Sequence, residues 1–192
     1  VFLKEHPTGV HCPTLIDIGC GYGRDALYFC REEIDIILGI DSSFQAIEQG
    51  RSIVKKENFD RIEFRCSHFR DIDTEWFDIV YLSNLYQILS PNERAELRSI
   101  IQSILKPGGI LFLSTLSIGD LQHSGKGIAV RGEQNSFIEP NGNGYLHFCT
   151  KEELLNDFSF LDVIQLYPLD YQEQRVGGSH NHISWVLIAS NL

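Results

Sequence analysis

The run Asp17-Ile18-Gly19-Cys20-Gly21-Tyr22-Gly23 places a carboxylate just ahead of three glycines on alternate positions. Glycine lets the backbone bend sharply and lets a ligand approach it closely, while Asp17 can accept hydrogen bonds from a cationic or hydroxyl-bearing group. Asp41 closes a second apolar run, and an acid at the end of the second strand of a βαβ unit lies beside such a turn, where it can accept both hydroxyl protons of a ribose. Together these residues point to a nucleoside-bearing ligand without choosing which one. His147, His180 and His182 are side chains able to take a proton at neutral pH. His180 and His182 share one strand face, but no matched carboxylate or cysteine set accompanies them, so no metal is assigned. Tyr86 is a candidate aromatic facing a substrate.

The elements that must position these residues follow from the apolar pattern. Leu15–Ile18 and Ile36–Ile40 read as short buried strands, with a helix from about Arg24 to Glu33 between them. A helix from about Ser43 to Lys56, with Phe44, Ile47 and Ile53 facing inward, leads to a third strand at Ile62–Cys66 and then to Ser67-His68-Phe69. Trp76–Ser83 is the fourth strand. Ser90-Pro91-Asn92-Glu93 starts a helix with a cap, a first-turn proline and an acid near the positive end of the dipole. That helix runs to Leu105, and Lys106-Pro107-Gly108-Gly109 turns into the fifth strand, Ile110–Thr115. Residues 117–146 lose periodicity and read as a substrate cover carrying Phe137, Tyr145 and His147, with Arg131, Glu133 and Asn135 as polar contacts. Thr150 caps a further helix, with Glu153 completing a capping box. The sixth and seventh strands fall at Phe160–Tyr167 and Ile183–Ala189, with a loop over Pro168–Asn181 between them.

The strand ending in Asp17-x-Gly19-x-Gly21-x-Gly23, the Phe77-Asp78-x-Val80 strand and the Leu105-Lys106-Pro107-Gly108-Gly109 turn resemble the class I S-adenosylmethionine-dependent methyltransferases, over residues 14–116. The dinucleotide fingerprint wants its third glycine one place later, where this chain has Arg24. The resemblance implies an α/β, Rossmann-like fold: a seven-stranded, mostly parallel sheet sandwiched by helices, with an antiparallel seventh strand. It implies S-adenosylmethionine as cofactor, with Asp17, Gly19, Cys20, Gly21 and Gly23 at its methionine part, Asp41 and Ser42 at the ribose, Ser67, His68 and Phe69 at the adenine, and Ser83 facing the transferable methyl. His68 stands where the family commonly has an acid. The implied reaction is methyl transfer to an O, N or S nucleophile of a small molecule, with His147, His180 and His182 as candidate bases. The rival functions are a nicotinamide-dependent oxidoreductase and a non-catalytic adenosylmethionine-binding regulatory module.

The 192 residues suit one domain, 1–192, with covers at 117–147 and 168–182. A formal net charge of −10 argues against broad binding to phosphate backbones, so nucleic acid is not expected as a partner. The Asp/Asn-Pro-Pro-aromatic motif of nucleic-acid amino-methylating enzymes is absent after Ser83. No apolar run reaches bilayer length and no secretory leader is evident, so a cytoplasmic protein away from membranes is expected. The five cysteines include no Cys-x-x-Cys pair and read as reduced thiols. The chain has no methionine, even at position 1, so residues, an initiator segment among them, are expected to be missing from the sequence.

Overall fold

A computed structural model describes residues 12–32, 34, 36–72, 76–120, 127–138, 144–175 and 178–192, and for residues 173–175 and 178–180 the backbone alone. The five apolar runs form strands β1 (Thr14–Ile18), β2 (Ile36–Asp41), β3 (Ile62–Cys66), β4 (Phe77–Ser83) and β5 (Leu105–Leu116). Between them run helices α1 (Arg24–Arg31), α2 (Phe44–Glu57) and α3 (Pro91–Ile104). After β5 come three short strands, β6 (Ile128–Ala129), β7 (Ser136–Ile138) and β8 (Tyr145–His147), then helix α4 (Lys151–Asp157) and strands β9 (Asp162–Arg175) and β10 (Gly178–Ser190).

The main sheet has the order β3-β2-β1-β4-β5-β10-β9. β1 pairs in parallel with both β2 and β4, so the strand order reverses there and the carboxyl ends of these strands open a crevice. β10 enters antiparallel between β5 and β9, as the resemblance implied.

The helix starts follow their sequence signals. Ser43 caps α2 by accepting from the Ala46 amide, and Ser90 and Glu93 form a reciprocal capping box on α3. Of the expected inward face of α2, Ile47 is fully buried, whereas Phe44 in the first turn is 63% exposed. Two apolar clusters flank the sheet. One gathers Leu97, Ile101, Leu154 and Phe158 from α3, α4 and the segment after it, and the other gathers Ala26, Ile47 and Phe64 on the side of α1 and α2.

The described residues of the segment 168–181, expected as a loop, are instead the outer parts of two paired strands, β9 and β10. β9 and β10 pair from Asp162↔Ser190 to Arg175↔Gly178, with one shift of register between Ile188 and Ala189. Pro168 is compatible with this because β9 is an edge strand, where a missing N–H costs no ladder bond. Asn181 donates to Asp170 across the pair at 2.7 Å, and the rings of Tyr171 and His182 lie 5.7 Å apart. The segment expected as a cover holds a three-stranded antiparallel sheet, β6-β7-β8, among its described residues.

At the other end of the sheet, Asp78 joins three segments. Its Oδ2 accepts from the backbone N–H and the hydroxyl of Thr14, at 2.9 and 2.8 Å, and from Lys106 Nζ at 2.9 Å. Lys106 therefore has a structural partner. Burial alone would raise the Asp78 carboxyl, but these donors outweigh it and hold the group below the usual range. A depressed carboxylate contributes stability that is complete above its unfolded pKa and is lost as pH falls through the folded value. Asp78→Asn should cost about 1–3 kcal/mol in denaturant titrations at neutral pH and remove part of the acid sensitivity. An unchanged midpoint would show that this junction does not hold the strands together.

Candidate functional site

The glycine turn follows β1 and hands the chain to α1, with Gly19, Gly21 and Gly23 at φ of 76°, 56° and 84°, which L side chains rarely adopt. Its amides point inward. Gly19 and Cys20 both donate to the Ile40 carbonyl, at 2.8 and 3.0 Å, Gly21 donates to Asp41 Oδ2 at 2.9 Å, and Gly23 donates to the Cys20 carbonyl at 2.9 Å. The other oxygen of Asp41 accepts from the Ser43 amide at 2.8 Å. Asp41 is thereby fixed between the turn and the start of α2.

Asp17 is 2% exposed, and its Oδ2 has no hydrogen-bond partner. Burial, joined by the charges of Asp25 and Asp41, pushes its carboxyl up to about 8. A buried acceptor left unpaired costs free energy until a donor reaches it. Three carboxylates, Asp17, Asp25 and Asp41, thus face a turn whose nearby cation, Arg24, is bonded to Asp25 at 3.0 Å. Such a site favours a positively charged ligand.

Three hollows meet along this crevice. The first, of about 180 Å³, is walled by Gly19, Asp41, Ser42, Ser67, His68, Phe69 and Leu85. The second, of about 200 Å³, is walled by Asp17, Gly19, Cys20, Gly21, Arg24, Asp25, Ser83 and Asn84. The third, of about 520 Å³, shares Arg24, Asp25, Ser83 and Asn84 with the second and extends past Tyr81 and Phe112 to Tyr171 and Ser184 on the hairpin. The structure therefore brings Asp17, Gly19, Cys20, Gly21, Asp41, Ser42, Ser67, His68, Phe69 and Ser83 to adjoining walls of one crevice. Gly23 lies just behind them as the residue preceding α1.

Several residues carry a local job as well. His68 Nδ1 accepts from the Arg70 amide and the Asp71 carboxylate accepts from the His68 amide, so His68 caps a short turn while its ring lies against Phe69. Burial pushes the Cys20 thiol up, which leaves it unreactive at neutral pH. Asn84, at φ 58°, is held by Gln87, whose other end accepts from the Leu116 amide at 3.0 Å.

The four candidate catalytic residues are not gathered here. Tyr86 is fully buried, donating to Asp157 at 2.5 Å and accepting from Arg98 at 2.7 Å. His147 is 3% exposed and borders a separate cavity of about 340 Å³ near the start of α3. Its ring nitrogens lie 2.9 Å from Ser136 Oγ and 2.7 Å from Glu153 Oε1. Glu153 thus turns to His147, and the expected capping box is reduced to the Thr150 half. His182 lies beside Asp120 at 3.3 Å. His180 is on β10 opposite Glu173, and its side chain is outside the described residues. Of the expected cover contacts, Glu133 and Asn135 border the His147 cavity and Arg131 is exposed.

Sequence reasoning missed Arg24, Asp25, Tyr171 and Ser184. Asp25 could have been found from its place in the first turn after the glycines. Ser184 has no local signal, because only the pairing of β10 with β5 carries it to the third hollow.

The sequence model of the family described as Methyltransferase domain matches residues 15–109, the part that builds the first two hollows. Residues 15–109 belong to the class I S-adenosylmethionine-dependent methyltransferase family. A solved structure of a SAM-dependent methyltransferase from Methanosarcina mazei superposes over 100% of this methyltransferase chain and 98% of its own, with a TM-score of 0.81 at 19% identity, which shows the shared fold. The carboxy-S-adenosyl-L-methionine synthase of Aliivibrio fischeri is 26% identical over 162 residues, covering 82% of this chain and 66% of its own length. A ubiquinone biosynthesis O-methyltransferase of Acinetobacter baumannii is 28% identical over 119 residues, covering 60% of this chain and 49% of its own. The chain thus spans less than two-thirds of the length of these curated relatives.

S-adenosylmethionine fits the residues present: its ammonium is a donor for the unpartnered Asp17 Oδ2, and its ribose hydroxyls are donors for Asp41. A Cβ at Gly21 would meet nothing within 4 Å, whereas one at Gly23 would lie 2.0 Å from the Phe64 ring. Gly21→Ala should therefore fold at a cost of about 1–2 kcal/mol for its positive φ while filling space beside the ligand and weakening cofactor binding. Gly23→Ala should lower the melting temperature far more. Equal losses of stability in the two variants would contradict this division.

Proposed function

We propose that this protein transfers the methyl group of S-adenosylmethionine to an oxygen, nitrogen or sulfur nucleophile of a small molecule. The observation that carries the reading is the buried, unpartnered Oδ2 of Asp17 beside a glycine turn whose amides are already bonded. The pyrophosphate of a nicotinamide dinucleotide would need free amides and a positive field at that place. It would meet four amides already bonded, those of Gly19, Cys20, Gly21 and Gly23, and the acidic side chains of Asp17, Asp25 and Asp41, which weighs against the oxidoreductase reading.

In this reading Asp17 takes the cationic amino-acid end of the cofactor. Asp41, held by the amides of Gly21 and Ser43, keeps lone pairs for the ribose hydroxyls, and the first hollow takes the adenine. When bound, S-adenosylmethionine supplies an electrophilic methyl on a sulfonium leaving group. The protein's own part is to orient both partners and keep water away, so a general base is not required. Ser83 and Asn84 stand at the rim shared by the second and third hollows, which makes the third the place from which an acceptor approaches. His182 adjoins Tyr171 on its wall and is the histidine best placed to act as a base there. The segments 117–147 and 168–182 serve as covers of a single domain.

One relative is named a carboxy-S-adenosyl-L-methionine synthase and another a ubiquinone biosynthesis O-methyltransferase, so no single acceptor carries over from them. Asp41→Ala should weaken S-adenosylmethionine binding by more than about tenfold, worth about 1.4 kcal/mol, in calorimetry. Unchanged affinity would remove Asp41 from the site. A screen of small thiols, amines, phenols and carboxylates with methyl-labelled cofactor should find an acceptor. Tight binding with no labelled product on any class would favour the regulatory module.

A further inference from the structure

The cavity beside His147 holds a cluster that methyl transfer does not use. His147, Cys149 and Glu153 offer one nitrogen, one sulfur and one oxygen within 4.8 Å of one another. All three come from the passage between β8 and the first turn of α4, where Thr150 caps the helix and leaves the Glu153 carboxylate free to turn inward.

A network of hydrogen bonds holds the imidazole in place. Tyr145 donates to Glu133 at 2.6 Å and accepts from Arg94 at 3.1 Å. Its oxygen lies 3.0 Å from Ser136 Oγ, which can donate to it. Ser136 Oγ, whose hydroxyl also lies 3.4 Å from the Gln134 carbonyl, meets His147 Nδ1 at 2.9 Å. The other ring nitrogen, Nε2, lies 2.7 Å from Glu153 Oε1. When Nδ1 carries the ring proton and donates to Ser136, Nε2 presents its lone pair beside the carboxylate, and a metal ion placed there joins the two. The Cys149 sulfur, within 4.8 Å of both, supplies the third ligand.

We propose that His147, Cys149 and Glu153 bind a thiophilic divalent cation of the zinc class where the β6-β7-β8 segment joins the core. Tetrahedral zinc bonds of about 2.0–2.3 Å set ligand atoms roughly 3.3–3.8 Å apart, so the widest pair closes by about 1 Å through side-chain rotation. Ser136 orients the ring through the nitrogen that does not bind metal, the usual arrangement around a metal-bound histidine. The thiol proton leaves to solvent as the sulfur–metal bond forms, and thiolate plus carboxylate neutralise the dication. Arg94 is turned to the Leu89 carbonyl and Tyr145 and keeps its Nη2 4.0 Å from Glu153. The cavity of about 340 Å³, bordered by His147 and Glu153, leaves a fourth position for water.

The proposal is independent of the methyl-transfer reading. The purified chain would be loaded with Zn²⁺ or Co²⁺, dialysed, and assayed for metal by atomic emission and for the thiolate-to-cobalt absorption band. One metal per chain, a tetrahedral cobalt spectrum and no retention of Mg²⁺ are expected. Cys149→Ser should abolish the charge-transfer band, Glu153→Gln should weaken zinc binding at least tenfold, and Ser136→Ala should weaken it about 10–100-fold while keeping the band. Failure to retain zinc, or an unchanged cobalt band in folded Cys149→Ser, would overturn the assignment. Should Cys149→Ser not fold, Glu153→Gln decides: unchanged zinc affinity in that variant also overturns it. Calorimetry with S-adenosylmethionine on the same samples reports the cofactor site separately.

Discussion

The crevice depends on how the Phe64 ring is seated. Its face is met by Gly23 of the turn, Gly39 of β2 and Gly50 of α2, where an added Cβ would lie 2.0, 2.6 and 3.0 Å from ring atoms. Three elements close on one side chain because none of them brings a Cβ to the contact. The Phe64 carbonyl also accepts two bonds from Arg51 of α2, at 3.1 and 2.9 Å. The glycine turn is thus shaped from behind by packing and from the side by Asp41. Its open face needs no ligand to keep its form, and such preorganisation lowers the cost of binding.

Given that frame, electrostatics decide what the turn can hold. A glycine turn at a helix start often receives phosphate because its amides are unpaired. Here the amides of Gly19, Cys20, Gly21 and Gly23 are taken by Ile40, Asp41 and Cys20, and a buried oxygen of Asp17 has no partner. The same backbone pattern therefore selects a cation instead of an anion. Family membership and local physics agree on S-adenosylmethionine for separate reasons.

The cofactor half was legible in the sequence because its signals are local. β1 and β2 are continuous apolar runs closed by Asp17 and Asp41, and Ser43 and Ser90 cap where their spacing says they should. The rest depends on long-range pairing. Tyr86 reads as a substrate-facing aromatic until Asp157 and Arg98, distant in sequence, take its hydroxyl. Pro168 and the Gly177-Gly178 pair read as a loop, yet an edge strand tolerates the proline and the pairing with β10 extends through it. Glu153 has the spacing of a capping box but gives its carboxylate to His147, a choice that spacing cannot reveal. The strands β6 to β8 are two or three residues long, too short for a periodicity to register.

The central claim is that the buried carboxyl of Asp17 waits for a cationic ligand, and its protonation tests this directly. With that carboxyl at about 8 in the ligand-free protein, binding below that pH must first expel a proton. The affinity for S-adenosylmethionine should then rise with pH towards about 8, with proton release on binding, and fall again above it as the ligand's own ammonium, with an ordinary pKa of about 7.7–8.0, loses its proton. Asp17→Asn should bind weakly and lose this rise, while the ligand's own amine titrates alike in both proteins. Calorimetry across this range is the decisive measurement. Affinity in the unaltered protein that changes with pH no more than in Asp17→Asn would contradict the account.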